Sequence, residues 1–193
     1  MQAGAKITCL NKKCEEAIIA ILLTDFFSLL VTVVMSSDIR QHICEILQQE
    51  GCLFRQVEHP PTFTSEESAQ ARGEPLGVGA KAIVARIDDR FGLFVLPADK
   101  KLASAAIKRE LNVKKIRFAT KDELFDLTGL VPGSVPPFGR PILPLELFAD
   151  DSVGQQYDKI AFNAGSLTNS VIMSATDWKQ IAKPRQFAFA KSS

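Results

Sequence analysis

The sequence predicts an α+β fold whose mixed sheet is largely antiparallel and surrounded by helices. Two apolar or alternating runs, residues 81–87 and 91–96, flank the turn Asp88-Asp89-Arg90, which is the pattern of a β-hairpin. Helix-like and strand-like segments are mixed along the chain, and the hairpin favours an α+β fold over a doubly wound parallel sheet. Of the 193 residues, 46% are hydrophobic and 23% are charged, so the chain can bury a substantial core.

Capping residues and apolar periodicity place the individual elements. Ser37 or Asp38 caps a first helix, and Thr64 or Ser65 caps a second, with Glu67 close to a capping-box position. The apolar face of the first helix is formed by Ile39, Ile43, Ile46 and Leu47. The other predicted helices are residues 66–71, 102–111, 121–127 and 176–181, and the other predicted strands are residues 53–57, 115–118, 160–162 and 170–174.

Residues 1–35 differ in composition from the rest of the chain. Residues 17–35 are nearly all apolar and close to the length that spans a bilayer, although Asp25 within them costs about 2.5–3.5 kcal/mol on insertion. Three interpretations compete: a membrane anchor, a buried or partner-binding helix, and a stretch translated upstream of a true start at Met35. We favour the third, so that residues 1–35 form an extension and residues 36–193 the folded domain. No A-x-A site follows the apolar run, which argues against a removed signal peptide.

Cysteine and histidine usage argues against a metal site. The four cysteines form no C-x-x-C pair and the chain has only two histidines, so we expect neither a zinc site nor a dense disulfide framework. No cofactor is expected. A reducing cytoplasm fits best, with membrane attachment through residues 17–35 as the alternative. The formal net charge of +1 gives no global bias toward nucleic acid.

Residues 129–139, with the sequence GLVPGSVPPFG, predict a rigid loop. Three prolines and three glycines exclude a regular helix or central strand. We expect exposed amides at Gly133, Ser134 and Val135, which suits a loop that holds a small ligand. The alternative is a structural Ω-loop. Ser134 has no evident His/Asp partner, so a hydrolase triad is not expected.

Three further positions are candidates for chemistry. Lys81 opens an apolar strand after a Gly-x-Gly turn, where its ammonium can bind a phosphate, a carboxylate or a polarised carbonyl; the alternative is a snorkelling strand-end lysine. His59 is either a base or, beside Pro60 and Pro61, a turn residue. The turn Asn163-Ala164-Gly165-Ser166 could face the rigid loop across a pocket, or simply connect two strands.

Residues 100–121 form a basic stretch. Its positive residues are Lys100, Lys101, Lys108, Arg109, Lys114, Lys115, Arg117 and Lys121. Such a patch can follow a phosphate backbone, or it can be a solvated helix face.

Taken in order, several of these pieces resemble the YbaK family, also called the prolyl-tRNA-synthetase-associated or editing-insertion domain. The resemblance rests on His59-Pro60-Pro61 with Thr64-Ser65-Glu66-Glu67, on Gly79-Ala80-Lys81, on the loop 129–139 and on the turn 162–166, and it covers roughly residues 38–182. It implies a compact, partly barrel-like sheet and hydrolysis of mischarged aminoacyl-tRNA, of tRNA-Pro or a related tRNA. The implied partners are the mischarged aminoacyl-tRNA and an aminoacyl-tRNA synthetase.

The resemblance also implies roles for individual residues. The family's invariant lysine maps to Lys81, and its G-x-x-x-P substrate loop maps to Gly133-Ser134-Val135-Pro136-Pro137. The implied catalytic residues are Lys81, Gly133 and Ser134. The implied substrate-binding residues are Thr64, Ser65, Val135, Pro136, Pro137, Phe138, Asn163, Gly165 and Ser166. The implied tRNA-binding residues are Lys100, Lys101, Lys108, Arg109, Lys114 and Lys115.

The chain departs from the family members that select alanine. These members carry an Asn after the lysine, where this chain has Ala82, and a His near the late turn, where it has Asn163. Specificity for alanyl-tRNA is therefore not expected. The implied mechanism is attack of water on the ester, with loop amides stabilising the oxyanion and Lys81 anchoring the terminal phosphate or the carbonyl. The alternative function is a non-catalytic module that binds tRNA or an aminoacyl ligand, tethered to a membrane if residues 17–35 are an anchor.

Overall fold

Ten strands and five helices make up the part of the chain that the computed structural model describes, residues 39–192. The strands are β1 (Phe54–Glu58), β2 (Ala80–Ile87), β3 (Arg90–Pro97), β4 (Lys100–Leu102), β5 (Ile116–Phe118), β6 (Glu146–Asp150), β7 (Lys159–Asn163), β8 (Asn169–Ser174), β9 (Arg185–Phe187) and β10 (Ala190–Ser192). The helices are α1 (residues 39–49), α2 (Ser65–Arg72), α3 (Ser104–Leu111), α4 (Lys121–Thr128) and α5 (Ala175–Ala182), with a 3₁₀ turn at Leu76–Val78.

The strands form two sheets and a short ribbon. The larger sheet has the order β5-β2-β3-β6-β9, the smaller one has the order β1-β8-β7, and β4 pairs with β10. Among the described strands, β6 runs parallel to both β3 and β9, and the other pairs are antiparallel. A bridge between Gly79 and Ala161 joins the two sheets. The predicted α+β fold with a largely antiparallel sheet is thus confirmed.

The β2–β3 hairpin is the centre of the larger sheet. Its register runs from Ala80 opposite Pro97 to Ile87 opposite Arg90. The predicted hairpin is present, but Arg90, predicted to lie in the turn, is the first residue of β3. Asp88 takes a positive φ of 49° in the turn, and its carboxylate accepts hydrogen bonds from the backbone amides of Lys115 (2.8 Å) and Lys114 (3.0 Å). The Lys115 bond is the main cause that lowers the pKa of Asp88.

Three apolar clusters lie inside the described part of the chain, and the smallest consists of Val78, Ala161 and Ile172. The largest includes Trp178 and Phe162, and the predicted apolar face of α1 joins it, because Ile43 and Leu47 are fully buried. The second is built on aromatic rings, with Phe94 stacked on Phe148 at 4.9 Å between ring centroids. The capping box of α2 is also present as predicted, with Thr64 as its N-cap.

The structure differs from the predicted elements at the start of one helix and in several strands, since β9 and β10 were not predicted. The predicted helix over residues 102–111 begins only at Ser104, because residues 100–102 pair with β10. Strand β6, which lies between two parallel neighbours, is absent from the sequence-based prediction. The proposed anchor and extension in residues 1–35 lie outside the described residues. Among residues 39–192, no helix has both the length and the apolar character needed to cross a bilayer.

Candidate functional site

A cavity of about 350 Å³ opens beside the N-terminal half of β2. Helix α2 and the segment before it form one wall, and the loop 129–139 contributes another. Of the predicted site residues, the cavity lining contains Thr64, Ser65, Lys81, Gly133, Val135 and Asn163. These residues lie far apart in the sequence, from Thr64 to Asn163, and the fold brings them together around one cavity.

The ammonium of Lys81 is fixed by backbone carbonyls. Nζ donates to the carbonyl oxygens of Lys100 (2.7 Å) and Ala98 (3.3 Å). Because an ammonium carries three protons, one donor remains for a ligand in the cavity. Burial lowers the pKa of Lys81, and the charges of Glu66 and Asp99 partly oppose that shift. Lys81 is therefore a positioned donor, and the snorkelling alternative does not describe its geometry.

Gly79 allows this arrangement because its backbone is in close contact with the turn after β3. A Cβ atom on Gly79 would lie 2.9 Å from the Cβ of Ala98 and 3.1 Å from the carbonyl oxygen of Leu76. The Gly79 carbonyl in turn accepts the amide of Ala98 at 2.8 Å. A side chain at this position would push away the carbonyl of Ala98 that Lys81 contacts.

The rigid loop and the late turn contact each other directly. Gly133 has a positive φ of 90°, and its carbonyl accepts a hydrogen bond from Nδ2 of Asn163 at 2.8 Å. The carbonyl of Ser134 accepts the amide of Gly165 at 3.0 Å. The two segments are therefore hydrogen-bonded neighbours, and the idea that they face each other across the pocket is wrong.

Ser134 is turned into the loop and does not line the cavity. Its amide donates to the carbonyl of Val131 (3.1 Å), and its hydroxyl donates to the same carbonyl (2.8 Å) and accepts the amide of Val131 (3.2 Å). The expectation of an exposed Ser134 amide is therefore wrong, since that amide closes the turn. The amides of Gly133 and Val135, by contrast, form no hydrogen bond with another residue of the range 39–192.

The remaining predicted loop residues lie outside the cavity lining. The carbonyl of Pro137 accepts Nε1 of the buried Trp178 at 2.8 Å, and the ring of Phe138 packs edge-on against Phe162. Pro136 is buried beside them. In the late turn, the hydroxyl of Ser166 bonds Thr168 and Asn169, and Gly165 has a φ of 82°. Their contacts anchor the loop and the turn to the core.

A buried polar network that includes two residues of the cavity lining, Arg72 and Asn163, was not predicted from the sequence. The guanidinium of Arg72, at the end of α2, donates to Oγ of Ser170 (2.8 Å) and to Oδ1 of Asn163 (2.7 Å). His59 lies 2.8 Å from the same Ser170 hydroxyl through Nε2, so it belongs to this network. Burial lowers the pKa of Arg72 to about 10, and no carboxylate forms an ion pair with it within the described residues.

This network connects α2 to the loop through Asn163. The amide side chain of Asn163 accepts from Arg72 through Oδ1 and donates to the Gly133 carbonyl through Nδ2. The only sequence signal for it was Asn163 itself, since an arginine in the last turn of a helix usually indicates a solvated cation near the carbonyl end.

The predicted basic residues are distributed over three segments. Lys100 and Lys101 lie on β4, Lys108 and Arg109 on α3, and Lys114 and Lys115 in the connection to β5. All are exposed except the half-buried Lys100. None of the six forms a salt bridge with another described residue, whereas Arg117 pairs with Glu123 at 2.6 Å. Over residues 39–192, no cluster of three or more His, Cys, Asp or Glu side chains could hold a metal ion.

Comparisons with known proteins identify the family of the chain. Residues 59–181 match the model of the aminoacyl-tRNA editing domain. The chain is 34% identical over 158 residues to the multifunctional Ser/Thr-tRNA deacylase ProXp-y of Escherichia coli (strain K12), covering 79% of this chain and 93% of that protein. It is also 30% identical over 118 residues to a proline–tRNA ligase of Shouchella clausii (strain KSM-K16), covering 61% of this chain but 20% of the ligase.

Solved structures share the fold. A crystal structure of a candidate trans-editing enzyme for prolyl-tRNA synthetase superposes with a TM-score of 0.68, covering 79% of this chain and 97% of that one at 23% identity. The family resemblance and the α+β fold predicted from the sequence are confirmed, and so is the general function, editing of aminoacyl-tRNA by a deacylase. The chain belongs to the aminoacyl-tRNA editing domain family.

Proposed function

We propose that the chain hydrolyses the ester bond between serine or threonine and tRNA, acting as a free-standing trans-editing deacylase. The observation that carries the proposal is the cavity itself, whose lining contains Lys81, Gly133 and Val135. The amides of Gly133 and Val135 form no hydrogen bond within residues 39–192. The similarity to a Ser/Thr-tRNA deacylase over nearly its whole length supports the choice of amino acids.

The wall formed by α2 suits a hydroxyl-bearing amino acid. Thr62, Thr64, Ser65 and Ser68 all line the cavity there. The Thr64 oxygen accepts the amide of Glu67 at 3.1 Å, which leaves its own proton available to a ligand. A wall of this kind discriminates against an apolar side chain of similar size, because the wall's polar groups would then lose their partners.

Hydrolysis requires charge stabilisation more than a side-chain nucleophile. When water attacks the ester carbonyl, negative charge develops on its oxygen, and amide or ammonium donors aimed at that oxygen lower the barrier. We assign this role to the amides of Gly133 and Val135 and to Lys81. The leaving ribose oxygen takes up the proton that the water loses, so the reaction balances without a cofactor.

The proposal extends to the rest of the substrate and to the chain's organisation. The six basic residues of β4, α3 and the connection to β5 bind the tRNA backbone, since phosphate contacts position a nucleic acid without reading it. The tRNA is tRNA-Pro or a related one, in keeping with the similarity to proline–tRNA ligases. A synthetase is a suitable partner for the same reason. Residues 36–193 form the editing domain, and a cytoplasmic location follows from the substrate.

Deacylation of a panel of charged tRNAs tests the proposal. The panel contains one tRNA carrying serine, threonine, alanine or valine, with uncatalysed hydrolysis subtracted. We expect serine and threonine to be released fastest. Preferential release of alanine or valine would overturn the assigned amino acids, and binding of every tRNA without hydrolysis of any would overturn the deacylase assignment in favour of a binding module.

A further inference from the structure

Two phenylalanine rings at the cavity are left largely in solvent. Phe63, directly before the N-cap of α2, is 75% exposed, and Phe118, the last residue of β5, is 60% exposed. Both belong to the cavity lining, whereas the other large side chains there, such as Leu124 and Val135, are buried. A single exposed ring is ordinary on a protein surface, but two rings at the opening of one cavity indicate a binding surface.

The backbone holds both rings in fixed places. The amide of Phe63 donates to the Glu67 carboxylate at 2.7 Å, as part of the cap of α2. Phe118 pairs with Ala85 across the edge of the larger sheet, and the next amide, of Ala119, donates to Val84 at 2.9 Å. Rings presented from fixed backbone lose little conformational freedom when a ligand packs on them.

The charges nearby favour a nucleic acid over a protein partner. Lys114 and Lys115 precede Phe118 in the chain, are exposed, and form no salt bridge with another described residue. The acidic group nearest to Phe63 in the cap, the Glu67 carboxylate, is already occupied by backbone amides. Cations that lead to exposed aromatic rings are the usual combination in sites for single-stranded nucleic acid.

We propose that Phe63 and Phe118 form a stacking platform for the unpaired bases at the 3′ end of the tRNA. This inference rests on the proposed function, because the ester that enters the cavity is attached to the ribose of the terminal nucleotide. The base on that ribose must therefore remain within one nucleotide of the cavity opening. Stacking on the rings holds the ester at the depth of Lys81 and Gly133 whichever amino acid is attached.

The first test compares two substrates that differ in the presence of the base. One is seryl-tRNA, and the other is a seryl ester of ribose without a base. We expect Phe118→Ala and Phe63→Ala to raise KM for seryl-tRNA by about 5- to 150-fold and to leave hydrolysis of the base-free ester unchanged. Phe118→Trp should keep the low KM of the parent, because an indole also stacks on a base. Phe118→Leu should raise KM as Phe118→Ala does.

The matched control is Leu53→Ala, which removes a side chain that is 89% exposed and lies outside the cavity lining. Leu53→Ala should change neither the KM for seryl-tRNA nor the hydrolysis of the base-free ester. Equal losses on both substrates in the phenylalanine variants would overturn the platform and place the rings in the amino-acid pocket. No loss on either substrate would also overturn it.

A second measurement separates this inference from the proposed activity. Phe118→Trp places an indole at the platform. An oligonucleotide that ends in the tRNA 3′ sequence and carries no amino acid should quench the fluorescence of this indole. The same oligonucleotide should leave the fluorescence of a Leu53→Trp variant unchanged. Quenching without any deacylation would sustain the platform and overturn the deacylase. Deacylation without quenching would sustain the deacylase and overturn the platform.

Discussion

The cavity wall and the basic stretch differ in whether their polar and charged side chains have partners in the described structure. In the wall, the side chains of Arg72, Asn163 and Ser170 hydrogen-bond one another at 2.7–2.9 Å. In the basic stretch, exposed cations such as Lys108 and Arg109 have no salt-bridge partner among the described residues. The first region is held by its own hydrogen bonds, whereas these cations of the second region form no ion pair with another described residue.

This difference fits the role that we propose for each region. Separating amino acids that differ by one hydroxyl requires donors and acceptors held in place, because their loss of partners is what rejects the wrong side chain. Attracting a polyanion requires only charge at the right density. We therefore expect variants in the wall to change rate and selectivity, and variants in the basic stretch to change affinity and its salt dependence.

Lys81→Ala tests the wall at its most sensitive point and should have the largest effect. We expect deacylation to fall by at least about 100-fold, the loss typical for removing one donor to a developing oxyanion. The melting temperature should stay within a few degrees of the parent's. Lys159→Ala removes a half-buried ammonium that lies outside the cavity lining and pairs with Glu74 at 2.7 Å, and it serves as the control. If Lys81→Ala deacylates at the rate of the parent, Lys81 takes no part in catalysis.

Arg72→Met tests whether the buried network positions the loop. The change leaves Asn163 Oδ1 and the Ser170 hydroxyl without their charged donor, which should cost about 1–3 kcal/mol of unfolding free energy. Because Asn163 also holds the Gly133 carbonyl, we expect kcat to fall about tenfold with a smaller change in KM.

The control for this variant is Arg185→Met. Arg185 is an exposed arginine that pairs with the exposed Glu110 at 3.2 Å, a type of contact worth at most about 1 kcal/mol. If Arg72→Met loses stability but keeps the parent kcat at a temperature where it is folded, the network supports the fold alone.

Lys108→Glu combined with Arg109→Glu tests the other side of the comparison. The variant should weaken binding of all tRNAs alike and lower the slope of log affinity against log salt by roughly one unit or slightly less per lost phosphate contact. The order in which amino acids are released should stay as it was. Deacylation of several charged tRNAs at two salt concentrations measures both, and a changed order with an unchanged slope would place these residues in the pocket.

Removal of residues 1–34, so that the chain begins at Met35, should have the smallest effect. The cavity and the basic stretch both lie within residues 39–192, and we propose that the editing domain starts at residue 36. Rates and melting temperature should match those of the full chain. An insoluble or inactive shortened chain beside an active full-length one would contradict this domain boundary.

Local signals in the sequence are sufficient for some of these features. The capping box of α2 needs only Thr64 and Glu67, three residues apart, and the β2–β3 hairpin needs only its turn and its flanking apolar runs. The cavity position of Lys81 followed from the ordered set of family motifs. Their spacing could not show that Lys81 bonds the carbonyls after β3.

Features that depend on distant partners were missed. Arg72 reads as an ordinary last-turn cation until β7 and β8 bring Asn163 and Ser170 against it. Ser134 looks like an exposed loop serine, yet its hydroxyl and its amide are both occupied by Val131. Strand β4 was not predicted, and its last residue, Leu102, was assigned to the following helix, because the pairing with β10 depends on residues far along the chain.

The pairing of β4 with β10 has a consequence for the newly made chain. The Lys100 carbonyl that receives Lys81 is part of β4, and β4 gains its pairing strand only when residues 190–192 have left the ribosome. The Asp150 carboxylate adds to this closure by accepting the amides of Phe189 and Ala190, each at 2.6 Å. The carbonyl of Lys100 that receives Lys81 therefore gains its full support only after residues 190–192 have been synthesised and have paired with β4.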